Sequence, residues 1–205
     1  MTDSEATTAP DQASRADATR ARLVEAAVSA FAERGFHGTT TRDIAAAAGM
    51  SPAALYVHHR SKEELLHQIS RDAHQRTIDA MDAAIASTTS PVEQLRETMR
   101  VFAVHHARGR TGARIVNYEL SALSPQHHAE IVELRIQIDQ RMRDLVEAGI
   151  EQGVFDVPDP GLAATALLSL GVDIARWYRP DGSWTPEDVG EAYADLALRI
   201  VGARE

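Results

Sequence analysis

Hydroxyl residues standing three positions ahead of carboxylates punctuate this chain and restrict it to helices. The pattern occurs at Thr40-x-x-Asp43, Ser61-x-x-Glu64, Ser90-x-x-Glu93 and Thr185-x-x-Asp188. In each, the hydroxyl can accept from a free amide of the first turn while the carboxylate favours the positive helix end. Pro52, Pro91, Pro160 and Pro186 each follow a Ser, Asp or Thr, the setting of a proline at the first helical position, where no amide hydrogen is needed. Stops appear at Gly35, Gly49, Gly109, Gly112, Gly153 and Pro180-Asp181-Gly182. Between these marks apolar residues recur at helical spacing, as in Leu23, Ala26, Ala27, Ala30 and Phe31, or Val92, Leu95, Met99 and Phe102. No strand-like alternation interrupts them. The chain therefore reads as all-α, with about nine helices at roughly 18–34, 41–48, 52–58, 62–86, 91–107, 113–122, 125–152, 160–178 and 186–202.

Composition excludes several classes. Cysteine is absent from the 205 residues, which removes disulfide frameworks, thiolate metal sites and thiol nucleophiles. The longest apolar stretch, Gly161 to Val172, is too short to span a bilayer. The opening Met1-Thr-Asp-Ser-Glu lacks the apolar segment of a secretory signal, so a cytoplasmic protein without membrane contact is expected. Residues 1–17 carry no periodic apolar face and read as a disordered tail. The net charge of −9 argues against nucleic acid until its distribution is read. From Arg15 to Lys62 seven basic residues face four acidic ones, whereas from Arg71 onward 14 arginines face 21 carboxylates. A small basic head on an acidic body suits a DNA-binding module joined to a part that avoids phosphates.

The segment Thr40–Lys62 is the most informative stretch. A short helix, Arg42–Ala48, is followed by Gly49-Met50-Ser51 and a second short helix opening at Pro52. That spacing defines a helix-turn-helix. Gly49 can supply the positive φ of the turn at no steric cost. Ile44 and Leu55 are placed to pack between the helices, and Ala45 and Ala48 are small enough for a close crossing.

The run from Arg22 to Leu66 resembles the DNA-binding domain of the tetracycline-repressor (TetR) family. The likeness lies in Phe31-Ala-Glu-Arg-Gly-Phe36, Thr40-Thr-Arg-Asp-Ile-Ala45, Ala48-Gly-Met-Ser-Pro-Ala-Ala-Leu-Tyr56-Val-His58 and Ser61-Lys-Glu-Glu-Leu-Leu66. The ending Arg176-Trp-Tyr-Arg-Pro180 with Trp184-Thr-Pro-Glu and Tyr193 looks like some actinobacterial members tied to lipid or acyl-CoA catabolism. The resemblance implies that Thr40, Thr41 and Arg42 meet the DNA backbone, with Arg42 in reach of a base edge. It places Ser51, Pro52, Ala53 and Ala54 at the major groove, and makes Tyr56, His58 and Lys62 phosphate donors. Ala53 and Ala54 offer no bidentate hydrogen bonds, so specificity there falls to thymine methyls, Arg42 or DNA shape. His59 departs from the family pattern, which has a buried aromatic residue.

Nine histidines raise a metal alternative. His105-His106 and His127-His128 are adjacent pairs, and helix neighbours point in different directions, so neither pair chelates alone. A di-iron bundle needs two Glu-x-x-His motifs; one occurs, Glu64-Leu-Leu-His67. Phosphate loops, His-Glu-x-x-His and Gly-x-Ser-x-Gly are missing. No metal, cofactor or enzymatic activity is expected. The competing reading is a helical small-molecule-binding or metal-dependent protein with a vestigial helix-turn-helix.

The expected organisation is a helix-turn-helix head over 18–62 and an effector-binding and dimerisation body over 63–205. Phe102, His105, His106, Asn117, Tyr118, Ile138, Met142 and Trp177 are candidates to line an effector pocket, and a lipid-like or acyl-CoA compound is the candidate effector. The last two helices, about 160–178 and 186–202, are expected to pair with their symmetry mates in a homodimer. Two heads are needed because one short helix reads few base pairs, and a pseudo-palindromic operator offers successive major grooves about 34 Å apart.

Overall fold

The computed structural model describes residues 9–204, with side chains from Arg15 onward. Among them are α1 (Ala9–Gly38), α2 (Thr41–Ala47), α3 (Pro52–His58), α4 (Lys62–Ala86), α5 (Pro91–Arg108), α6 (Arg110–Tyr118), α7 (Pro125–Glu151), α8 (Pro160–Trp177) and α9 (Pro186–Ile200). A 3-10 turn, Leu120–Ala122, joins α6 to α7. None of these helices is long and apolar enough to cross a membrane.

Helix starts follow the local code. Thr40 and Thr185 form reciprocal capping boxes with Asp43 and Asp188. Ser51, Ser61, Ser90 and Asp159 each accept from an amide of the turn they open. Ser124 does the same ahead of Pro125, a Ser-Pro start of the same kind.

Two helices differ in their bounds from the sequence reading. Of the tail expected over 1–17, residues 1–8 lie outside the described residues, and from Ala9 the chain is helical. Arg20 pairs with Asp17 at 2.9 Å, an i,i+3 contact that favours continuing the helix toward the N-terminus. The helix expected over 113–122 begins at Arg110, because Gly109 alone makes the bend out of α5, and it ends at Tyr118. At Gly35 the backbone takes φ 69°, ψ 167°, a glycine conformation that interrupts α1 one turn before its end.

One apolar cluster joins α1, α2, α3 and the start of α4 around Leu23, Phe31, Ile44, Leu55 and Leu66. It continues into Ile115, Val116, Leu120 and Ile131, so head and body share packing rather than meeting through a linker. A second cluster fills the body around Met81, Leu95, Met99, Met142 and Leu167. Small residues, Ala103 and Ala107 on α5 with Ala194 and Ala197 on α9, let those helices pack closely. Arg96–Asp195 (2.7 Å) and Arg108–Glu187 pair across their exposed sides.

Candidate nucleic-acid interface and the cavity behind it

The turn between α2 and α3 is built as the spacing predicts. Gly49 has φ +68°, and the Met50 amide donates to the Ala45 carbonyl at 2.8 Å. Arg22 reaches over from α1 to donate to the Ala48 carbonyl at 2.6 Å, tying the end of α2 to the helix beneath it. Ile44, Ala45 and Leu55 are fully buried between the helices. Asp43 receives the Thr40 hydroxyl and amide at 2.6 and 2.9 Å, which hold its carboxyl below the usual carboxylate range.

This scaffold leaves one polar and small-residue face outward. Thr40, Arg42, Ser51, Pro52 and Ala53 are exposed, with Thr41 and Ala54 half-buried beside them. Tyr56 is 53% exposed, and its hydroxyl lies 3.1 Å from Thr41 Oγ1, linking the first turn of α2 to the end of α3. His58 is half-buried. Val57, at 80% exposure, is the least covered large apolar residue described. Sequence reasoning passed over it, although it follows Ala53 by one helical turn and so shares its face.

Lys62 is placed differently from the phosphate donor that the resemblance implies. Its ammonium donates to the Phe36 and Thr39 carbonyls at 2.7 and 2.8 Å and sits 4.3 Å above the Phe36 ring. Two of its three donors are thereby engaged, and Lys62 fastens α4 to the chain entering α2. His59 occupies the slot of a buried aromatic; burial pulls its pKa below the ordinary value, and its Nε2 has no partner among the described residues.

Behind the head lies a cavity of about 620 Å³. Of the eight candidate pocket residues, Phe102, His105, His106, Asn117 and Ile138 line it. The other three candidates do not. Tyr118 is 65% exposed and borders a smaller adjoining cleft of about 330 Å³. Met142 lies one turn beyond Ile138 but is fully buried in solid core. Trp177 packs on Tyr193 and Trp184 instead, with ring centroids 6.3 Å apart in both pairs. Sequence reasoning missed Val24 and Val28 of α1, His74 and Thr77 of α4, Arg135 of α7 and Leu168 and Val172 of α8. Each lies on the apolar or polar stripe of its own helix, and nothing local marks that these stripes converge.

The cavity wall holds neutral imidazoles. His74 Nδ1 donates to the Ser70 carbonyl at 2.7 Å, which leaves Nε2 to accept from Arg135 Nε at 3.2 Å. His106 Nδ1 donates to the Phe102 carbonyl at 2.9 Å. Burial is the main reason that His74 and His105 lie below the ordinary histidine range, and it pushes His106 down to about 4. At the head–body joint, His67 and His127 stack with centroids 3.8 Å apart, each bonded to its own carboxylate, Glu130 and Glu63. Among the described residues no three His, Asp or Glu side chains come together as a metal site.

The His106 environment makes stability depend on pH. An unfolded imidazole takes its proton near 6.5 and the folded one only near 4, so between those values the unfolded chain binds more protons. Stability present above pH 6.5 is therefore lost as the pH falls toward 4. The His106 share of that loss between pH 7 and pH 5 is about 2 kcal/mol. Urea midpoints of the wild type and His106→Gln at both pH values measure it, and equal acid sensitivity in the two proteins would remove His106 as the cause.

Residues 23–69 match the bacterial regulatory proteins of the tetR family, and residues 88–201 match the tetracyclin repressor-like C-terminal domain. The chain belongs to the TetR family. Its relatives include the HTH-type transcriptional repressor KstR2 of Mycolicibacterium smegmatis, 31% identical over 93% of this chain and 94% of KstR2. A tetR-family regulatory protein from Rhodococcus RHA1 superposes with a TM-score of 0.86 at 37% identity, covering 91% of this chain and 98% of that one. AibR, solved with isovaleryl coenzyme A and operator DNA, gives 0.80 at 25% identity, covering 91% and 100%. In this TetR-family chain the N-terminal match spans the exposed α2–α3 face, and the cavity draws its lining from both matched regions and from the stretch of α4 between them.

Proposed function

We propose that this chain is a ligand-responsive transcriptional repressor of the cytoplasm, regulatory rather than enzymatic, acting as a homodimer on a pseudo-palindromic operator. The head, 18–62, binds DNA and the body, 63–205, binds effector and partner. The observation that carries the reading is the capped, exposed α2–α3 face, fastened through Lys62 to the same α4 that walls the cavity. Thr40, Thr41, Arg42, Tyr56 and His58 serve the backbone, and Ser51, Pro52, Ala53 and Ala54, joined by Val57, face the major groove. Ala53 and Val57 suit thymine methyl groups.

Leu162 and Leu170 of α8 and Leu196 and Ile200 of α9 are exposed in the single chain. Large apolar residues grouped on two neighbouring helices mark a surface to be covered, and pairing them about a two-fold axis gives a four-helix seam. A small effector with an apolar body, lipid-like or an acyl-CoA compound, fills the cavity. It binds best to a body conformation whose heads no longer match the groove spacing, so the operator weakens effector binding by the same factor.

A mobility-shift titration with the DNA fragment upstream of the chain's own gene tests this. Operator affinity should fall steeply with salt, as counterion release requires. Absence of salt-dependent binding to that fragment, with a monomer in solution, would sink the reading.

A further inference from the structure

A guanidinium held only by neutral acceptors at the mouth of a cavity keeps its charge available to an anionic ligand. Arg135 on α7, exposed where the cavity opens, is in that position. Its Nε donates to His74 Nε2 and its Nη2 to Asn117 Oδ1, both at 3.2 Å and both neutral acceptors. It makes no ion pair among the described residues. Asp139 and Asp72 also line the cavity, but Asp139 holds Arg143 at 3.2 Å and Asp72 holds Arg71 at 3.5 Å. Burial lowers the Arg135 pKa, and no neighbouring carboxylate acts against that shift; a guanidinium stays ionised regardless.

Its position is equally particular. Arg135 lines both the cavity and the outer cleft, standing where the two meet beside Asn117, Ser169 and Val172. Two of its five N–H donors are engaged, so three remain for an incoming group, enough for the two parallel bonds that a carboxylate accepts. His74, His105 and His106 add no positive charge nearby. Arg76 is the other cation of the lining; both side chains are exposed, but no hydrogen bond to a described residue holds Arg76 in place, whereas two hold Arg135. We propose that the effector is an apolar carboxylic acid whose carboxylate pairs with Arg135 while its apolar body fills the inner cavity against Phe102, Ile138 and Leu168.

This rests on the ligand-responsive reading above and deepens it. The free acid is favoured over a coenzyme A thioester because it places its anion directly at the head of the apolar chain, whereas the thioester carbonyl is neutral and the coenzyme's phosphates lie a pantetheine arm further out. Calorimetric titration of the full-length protein with dodecanoate, dodecanol and dodecanoyl-CoA tests it. Wild type should bind dodecanoate at least about tenfold more tightly than dodecanol. Arg135→Gln should erase that ratio and leave dodecanol affinity unchanged, whereas Arg76→Gln should keep it. Arg135→Lys, which retains charge without the fork, should fall between and serves where the glutamine variant melts early. The proposal is overturned if wild type shows no preference for the acid, even through failure to bind either probe. It is equally overturned if the ratio survives Arg135→Gln, if it follows Arg76, or if dodecanoyl-CoA binds more tightly than the acid. Operator binding by ligand-free protein is measured alongside. Its loss sinks the regulator reading, and its retention without acid preference sinks only the Arg135 assignment.

Discussion

Replacing Tyr56 with alanine should weaken operator binding about 100-fold while leaving the melting temperature in place. The ring is more than half exposed and lies outside the head core, so its removal opens no cavity. What disappears is a hydroxyl held at 3.1 Å from Thr41 Oγ1, at the edge of the exposed α2–α3 face. One phosphate hydrogen bond contributes about 1–1.5 kcal/mol, and a two-headed protein loses it twice, so about 2–3 kcal/mol disappears in total. Tyr56→Phe should lose nearly as much, since the hydroxyl and not the ring makes the contact. Arg42→Ala should additionally lower the slope of log affinity against log salt by about two, one phosphate per head. A Tyr56→Ala operator affinity within threefold of wild type would remove Tyr56 from the interface.

Gly149→Ala should destabilise the fold by about 2–3 kcal/mol, as overpacking outweighs the roughly 1 kcal/mol that alanine gains over glycine within a helix. A Cβ at Gly149 would stand 1.9 and 2.2 Å from two ring carbons of Phe155. The ring has nowhere to retreat. Phe155 is buried, and the Val154 and Phe155 amides both donate to the Gly149 carbonyl, at 2.9 and 3.1 Å. The following residues are tied to the C-terminus, with Asp156 donating to Val201 and Arg204 donating to Val154. Relief therefore requires displacing the whole turn between α7 and α8. Urea unfolding measures the loss, and in a Phe155→Ala background the same substitution should cost nothing, the signature of a direct clash. A single-mutant change below about 0.5 kcal/mol would show that the turn yields freely.

How far the sequence reaches depends on the range of the interaction concerned. Thr40 finds Asp43, Ser61 finds Glu64 and Thr185 finds Asp188 within one turn, so helix starts are readable with no knowledge of the fold. Lys62 is the counterexample inside the same motif. Its spacing and charge suit a phosphate, yet carbonyls 23 and 26 residues away occupy it. Ile138 and Met142 show the limit in the body. They lie one turn apart on one stripe, and periodicity cannot tell a cavity wall from solid core, because the difference depends on where α4 and α8 come to rest.

Helix boundaries and the φ-positive hinge at Gly49 were decided by neighbours along the chain, since caps and turns are satisfied over three or four residues. The cavity, the neutral state of His106 and the uncompensated charge of Arg135 came only with assembly. They exist because α1, α4, α5, α6, α7 and α8 pack around a space they do not fill. Burial and solvation belong to that arrangement and to no stretch of sequence.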